Sequence, residues 1–484
     1  MIVNHIFNWA DRAPDKTAMI YNGQPWTYGV FARLIAISRG YFVSRGCFGD
    51  GTAVLAVSNV RDFWILSLAL RSLGLTTVAV GSADAIEGLG LSDIRCVVST
   101  ADESWPNLQA ICARRGLELL NVSPAGQVPV ALDAGPQPAR PGGHIMLTSG
   151  TTGDNKKVLS DPFDEIETFA WHAGVADIGP DSLHCIFNFG PWTLVGYRAP
   201  LICWMMNGAV AIDQRPDLCS ALRLPGLTYA TVTPRMLAAL LAAPEDAYPR
   251  QPQMTLAIVA GTVTAAEIDL ARARITSKLF NGHGATETDM TGYTPLVTPD
   301  DYRWQRIAPG RLVQVVDDDG HEVPPGEVGL LRVSTRGQAS GYLGDEATTR
   351  AFFHDGFFYP GDLAVTREDG RFALQGRITA VINVAGDKLS PEPIEDGLRQ
   401  TFDLAGACLF SAPDEHGEER LHLVIESPTP VDLDRLRAYL SSQFPVMPPT
   451  YVVQVTALPR NAMGKIMRRT VKTQALAAVQ ASKR

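Results

Sequence analysis

The chain has 484 residues, 46% of them hydrophobic and 19% charged, with a net charge of −9. That length exceeds what one hydrophobic core usually supports, so two or three domains are expected. The acidic balance excludes a broad nucleic-acid-binding face, so any affinity for phosphate must be local.

The start, Met1-Ile-Val-Asn-His-Ile-Phe-Asn-Trp-Ala-Asp, lacks the basic region and long apolar core of a secretion signal. A helix is predicted from Trp26 to Ala36, with Thr27 placed to cap it. A buried strand follows at 52–57, then an apolar helix at 62–73 that Gly74 can terminate, and short strands at 76–80 and 96–99. The greasy stretches around 63–80 and 194–212 are broken by Arg71 and Arg198, which makes them buried core and not membrane spans. The seven cysteines are scattered without zinc spacing and read as reduced packing thiols of a cytoplasmic protein. Residues 124–143, rich in Pro, Gly and Ala, read as a surface connection. Further strands are predicted at 183–187, 209–212 and 256–259. Strands alternating with helices imply α/β layers with mostly parallel sheets. From about 310 the pattern turns β-rich, and after Gly376 some hundred residues carry their own helix and strand patterns.

Leu147-Thr-Ser-Gly-Thr-Thr-Gly-Asp-Asn-Lys-Lys-Val158 follows a short apolar strand, 144–147. Gly150 and Gly153 let backbone N–H groups approach a ligand closely. Thr148, Ser149, Thr151 and Thr152 add hydroxyls, and Lys156 and Lys157 add charge. The composition suits a polyphosphate, although no Gly-Lys-[Ser/Thr] ends it as in a P-loop. A flexible surface turn is the alternative at this point.

Other motifs follow in fixed order: Asn281-Gly-His-Gly-Ala-Thr-Glu287, Gly326-Glu-Val-Gly329, Gly341-Tyr342, Tyr359-Pro-Gly-Asp-Leu363, Gly376-Arg-Ile-Thr379, a stretch from Asn383 to Glu395, and Leu458-Pro-Arg-Asn-Ala-Met-Gly-Lys-Ile-Met-Arg468. Over roughly residues 10–470 the series resembles the adenylate-forming superfamily of acyl- and aryl-CoA synthetases, peptide-synthetase adenylation domains and luciferases. The resemblance implies an α/β fold with a large N-terminal domain, 1–377, of layered α/β subdomains and a β-rich subdomain. A small mobile α+β domain, 378–484, would follow it. It also implies ATP, Mg²⁺, and CoA or a carrier-protein phosphopantetheine, with a small carboxylic acid as substrate and a monomer or homodimer as the working form.

By that resemblance residues 148–156 bind the β- and γ-phosphates, with Asn155 replacing a usual proline and Lys157 a glycine. Glu287 is implied as the Mg²⁺ ligand, which suits a hard oxygen donor, and Thr286 as a hydrogen-bond donor to the α-phosphate. Asn281, Gly282, His283 and Gly284 would line the nucleotide, His283 standing for a tyrosine beside the adenine, with Gly261 and Thr262 nearby. Asp362 would accept the ribose hydroxyls, although Pro360 departs from the usual serine or threonine, and Arg377 would also contact the nucleotide. Thr379 occupies the hinge position. Gly386 would line the pantetheine tunnel, and Lys465 would serve adenylate formation, offsetting repulsion between the carboxylate and the α-phosphate.

The acid is read from Phe187-Asn-Phe-Gly-Pro-Trp192. Amino-acid-activating relatives carry an aspartate where Asn188 stands, so an ammonium-bearing substrate would lack its charge partner. Phe187, Phe189 and Trp192 suit a flat or aliphatic acid; alternatively Asn188 caps a turn and the aromatics are core. Because the last motif lies near Arg484, a free-standing ligase acting on CoA is the leading expectation. Loading of a separate carrier protein is the second. A catalytically lapsed relative that only binds nucleotide or acyl-adenylate is the reading from another class.

Overall fold

The computed structural model describes every residue except 124–126, 150–154, 379–381, 385–386, 414–418, 444–449, 461–463, 465 and 483–484. Two large sheets dominate. The first has six strands in the order Leu119–Val122, Ile94–Thr100, Thr52–Leu55, Thr76–Ala79, His144–Ser149 and Asn155–Ser160. It is parallel up to its final antiparallel hairpin. The second has eight strands and runs from the hairpin Lys278–Ala285/Asp289–Pro295 through Thr255–Val259, Tyr229–Val232, Leu183–Cys185 and Ala209–Ile212 to Thr17–Tyr21 and Gln24–Thr27. Its interior pairs are parallel and each end is closed by an antiparallel pair, an arrangement that lets helices cover the faces.

The helices begin where the sequence supplies caps. Tyr28–Ser44 starts at Thr27, whose hydroxyl accepts from the amide of Val30 at 3.3 Å. Val60–Ser72 starts at Asn59, which accepts from the amide of Asp62, and the chain leaves it through Gly74 at φ +99°. Such caps satisfy amides that a helix start leaves open. Both helices share one core with Leu194–Met205, packed around Phe31, Phe63, Trp64 and Trp204.

The connection preceding the phosphate-loop candidate is held down more firmly than its composition suggests. Arg39, fully buried, donates to the carbonyls of Val130, Ala131 and Ala134 and to Ser72. A Cβ on Gly40 would lie 2.0 Å from the carbonyl oxygen of Val128, so only glycine lets the strap lie this close.

A third, antiparallel sheet is built on Val328–Ser334, flanked by Leu312–Val316, Asp362–Thr366 and Phe372–Arg377. This is the β-rich region expected after 310. Beyond it, Gly406–Pro413, Glu419–Glu426 and Thr450–Val455 form a separate sheet. Its core joins Leu398, Leu409, Leu421, Leu423 and Leu436. The result is a mixed α/β protein with a large N-terminal part and a smaller C-terminal one.

His184 lies buried in the strand Leu183–Cys185, where Nε2 meets Thr231 Oγ1 at 2.9 Å. Burial, assisted by His172, pushes its pKa down to about 3. The folded protein therefore resists protonation while the unfolded chain accepts a proton below its ordinary value. His184 contributes stability above that ordinary value and loses it as pH falls toward 3, with a slope of about 1.4 kcal/mol per pH unit. Urea midpoints of wild type and His184→Gln across pH 7 to 4, about the range the shift spans, check this: the variant should show the shallower decline.

Candidate nucleotide and acid site

The hairpin His144–Ser149/Asn155–Ser160 carries the phosphate-loop candidate. Strand pairing continues past Leu147, with Thr148 opposite Lys156 and Ser149 opposite Asn155. Thr148, Ser149 and Lys156 are thus strand residues, because a partner strand holds them extended. Gly150, Thr151, Thr152 and Gly153 lie outside the described residues. The Lys156 ammonium sits 3.4 Å from the ring centre of Phe352 and 4.7 Å from that of Tyr342, both cation–π distances. Its Nζ is also 3.5 Å from the Tyr342 hydroxyl. Burial lowers the pKa of Lys156, and the Glu287 carboxylate opposes that shift.

Asn281, Gly282, His283 and Gly284 belong to the strand Lys278–Ala285, although the segment is glycine-rich. Asn281 and Gly282 are registered against Ile258 and Val259 on one side, and the Asp289–Pro295 strand pairs on the other. A Cβ on Gly284 would lie 2.1 Å from the carbonyl oxygen of Asp289. Thr286 and Glu287 form the turn at the end of this hairpin. Glu287 is buried, and its Oε1 accepts from the Tyr342 hydroxyl at 2.8 Å. Burial and the Glu287 carboxylate together push the Tyr342 pKa well above its ordinary value, so the phenol is a neutral donor. Arg198 Nη2 donates to the carbonyl of Thr286 at 3.3 Å.

Asp362 and Arg377 face each other across neighbouring antiparallel strands, and Arg377 Nε lies 2.9 Å from Asp362 Oδ1. Asp362 is buried, while Arg377 remains partly open. The field of Arg377 also reaches His283, Lys156 and Tyr342. Burial, then Arg377, hold the His283 pKa down to about 4. That imidazole is neutral at pH 7, 3.1 Å from Thr291 Oγ1 and edge-on to Phe372.

Gly261 and Thr262 are exposed on the loop after Thr255–Val259, which turns through Ala260 at φ +65°. Gly261 lies against Pro234, and Thr262 Oγ1 is 3.1 Å from Asp396 Oδ1 on the C-terminal helix Pro391–Phe402. A Cβ on Gly464 would sit 3.3 Å from Arg235, the residue after Pro234. Gly464 of the C-terminal part and Gly261 therefore lie against consecutive residues, Arg235 and Pro234. Lys465, Thr379 and Gly386 lie outside the described residues.

In the proposed acid segment, Phe187 is fully buried at φ +46° within the core formed with Leu237 and Ile258. Phe189 is also buried, whereas Asn188 is exposed and Trp192 partly buried. The alternation arises because Phe187 and Phe189 turn into two different cores and leave Asn188 outside. Phe187 and Phe189 therefore back the segment from within the core, and Asn188 and Trp192 keep open surface.

In the sequence Tyr342 stands out only as part of Gly341-Tyr342, and Arg198 only as a break in an apolar run. Tyr342 touches both Glu287 and Lys156, and Arg198 grips the turn. The one available signal was a charged residue inside an otherwise apolar helix, which calls for a buried partner.

A family model described as AMP-binding enzyme matches residues 6–343. The chain is 26% identical to salicyl-AMP ligase/salicyl-S-ArCP synthetase of Mycobacterium tuberculosis, over 70% of this chain and 62% of that protein. It is 27% identical to a 4-chlorobenzoate–CoA ligase of an Arthrobacter species, over 96% of this chain and 93% of that one. It spans only 6% of the nonribosomal peptide synthetase CymA of Salinispora arenicola, at 26% identity. The fold is that of o-succinylbenzoate CoA synthetase from Bacillus subtilis, solved with an acyl-adenylate: TM-score 0.79 at 19% identity, covering 97% of this chain and 98% of the other. The family match extends over the phosphate hairpin, the Thr286–Glu287 turn and the Gly341-Tyr342 pair, and on that ground the chain belongs to the AMP-binding enzyme family.

Proposed function

We propose that this protein activates a carboxylic acid lacking an α-ammonium group, aryl or short-to-medium acyl, as its adenylate and then passes the acyl group to a thiol. The observation that carries the reading is the convergence of three separate pieces of chain. Lys156 on the phosphate hairpin and Glu287 at the turn meet at Tyr342, and Arg377, paired with Asp362 on the third sheet, lies near enough for its charge to act on Tyr342 and Lys156. In the first step a carboxylate oxygen bonds to the α-phosphorus of ATP and the bond to the β-phosphate breaks, releasing pyrophosphate. In the second a thiol sulfur replaces AMP at the acyl carbon, and the thiol proton is lost.

The nucleophile is already ionised, so the protein's part is to position the reactants and stabilise charge. Asp362 offers a carboxylate to the ribose hydroxyls while Arg377 holds that carboxylate in place. Lys156 and the hydroxyls near it face the phosphates. Glu287, a carboxylate fixed through one oxygen by Tyr342, fits a hard divalent cation. Mg²⁺, when bound, would neutralise charge on the phosphates. Lys465 serves the same step at the carboxylate.

The neutral Asn188 supports an acid without an ammonium group, and the name of the salicyl-AMP ligase supports an aryl one. CoA is the preferred thiol, as for the 4-chlorobenzoate ligase, and a carrier-protein pantetheine is the alternative. Residues 378–484 act as a mobile lid on 1–377. No described helix is long and apolar enough to cross a membrane, and we place a monomer or homodimer in the cytoplasm. Acid-dependent exchange of labelled pyrophosphate into ATP tests the reading. Exchange is expected with aryl or acyl acids and not with amino acids, and none with any acid would favour a protein that only binds nucleotide. Supplying CoA or a pantetheinylated carrier to the productive mixture and detecting the thioester identifies the acceptor.

A further inference from the structure

Two consecutive residues on the helix Leu194–Met205 reach opposite sides of the site. Arg198 holds the turn: its Nη2 donates to the carbonyl of Thr286, and its Nη1 lies 2.8 Å from Asp289 Oδ1. Asp289 closes that turn opposite Ala285 and sits at φ +61°, a left-handed conformation that costs a residue with a Cβ. Its other oxygen lies 3.6 Å from His172 Nδ1 and 4.0 Å from Arg311 Nη2, and Arg311 stacks 3.6 Å over the Trp171 ring. The turn is thus clamped by a carboxylate whose shortest ion-pair contact is with Arg198.

Tyr197, fully buried, faces the other way. Its hydroxyl accepts from Arg71 Nη1 at 2.8 Å and donates to Glu165 Oε1 at 2.5 Å. Glu165 also accepts from Arg71 Nη2 at 2.6 Å and from the hydroxyl of Ser160 at 3.0 Å. Arg71 Nε donates to the carbonyl of Gly142 at 3.0 Å. Ser160 ends the second strand of the phosphate hairpin and Gly142 lies two residues before the first, so the network grips both legs at their base. Its charges are compensated inside the protein, and it has no direct part in the chemistry.

We propose that Tyr197 and Arg198 are positioning residues for adenylate formation, the helix that carries them both setting the separation of the phosphate hairpin from the Thr286–Glu287 turn. The inference rests on the function proposed above. A shift of about an ångström between such elements can cost on the order of a hundredfold in rate.

The test uses the full chain with Arg198→Lys, Tyr197→Phe and the charge-balanced double variant Arg198→Met/Asp289→Asn, reading exchange kinetics, Mg²⁺ dependence and Tm. Arg198→Lys should lose about tenfold in kcat and require more Mg²⁺, with KM for the acid unchanged. The double variant should remain folded and lose about a hundredfold. Tyr197→Phe should raise KM for MgATP without changing KM for the acid. Folded Arg198 variants with wild-type kcat and Mg²⁺ dependence, or a folded Tyr197→Phe protein with wild-type KM for MgATP, would overturn the inference, as would rate losses that only follow the unfolded fraction. Absence of exchange by the wild type itself is failure of the functional reading instead. In that case calorimetric titration still decides: positioning predicts that the variants weaken MgATP binding more than AMP binding, and equal weakening would count against it.

Discussion

Glu287→Gln should lower acid-dependent pyrophosphate exchange by about a hundredfold or more, the scale seen when a preorganised charge-stabilising group is removed. The substitution preserves size and leaves an oxygen that can still accept from Tyr342, so the fold around the turn should persist. What disappears is the negative charge, and with it the hard anionic donor suited to a divalent cation. The loss should therefore shrink as Mg²⁺ is raised, while KM for the acid stays near wild type. Titrating exchange rate against Mg²⁺ for both proteins checks this. An unchanged Mg²⁺ requirement would remove Glu287 from the metal role and leave it as the partner of Tyr342 alone.

Lys465→Ala should separate the two half-reactions. An ammonium between a carboxylate and an α-phosphate matters only while those two anions must approach, so adenylate formation should fall by about two to three orders of magnitude. Thioester formation from chemically supplied adenylate should continue at close to the wild-type rate, because that repulsion has already been overcome. The neighbouring Gly464 lies against Arg235, the residue after the Pro234 that Gly261 packs on. Single-turnover measurements of both steps decide the matter, and an equal loss in each would exclude this role.

Much of the fold was legible because its cues are local. Thr27 and Asn59 cap the helices that follow them, and Gly74 leaves the second in a left-handed turn. Alternating strands and helices implied layered, largely parallel sheets, and both large sheets are built that way. The extension of the phosphate-side strand to Ser149 and of the Asn281–Gly284 stretch into a strand was not legible. Glycine and hydroxyl residues favour turns in isolation, and here cross-strand pairing overrides that preference. The anchoring of the strap at 128–134 is not legible for a similar reason: its anchor, Arg39, lies about ninety residues away and its role depends on burial.

The sequence by itself determined the family, the order of the motifs and the residue types that phosphate, magnesium and ribose require. Those properties are carried by short segments whose chemistry does not depend on distant partners. Only the tertiary structure decided which groups complete them. Tyr342 reaches Glu287 across 55 positions of chain, Arg198 clamps the turn through Asp289, and Arg377 aligns on Asp362 through strand register. It also drew Phe187 and Phe189 into the cores and left Asn188 outside. Such pairings arise when burial forces charged and polar groups to find partners wherever the folded chain brings them, and spacing along the sequence carries no record of that choice.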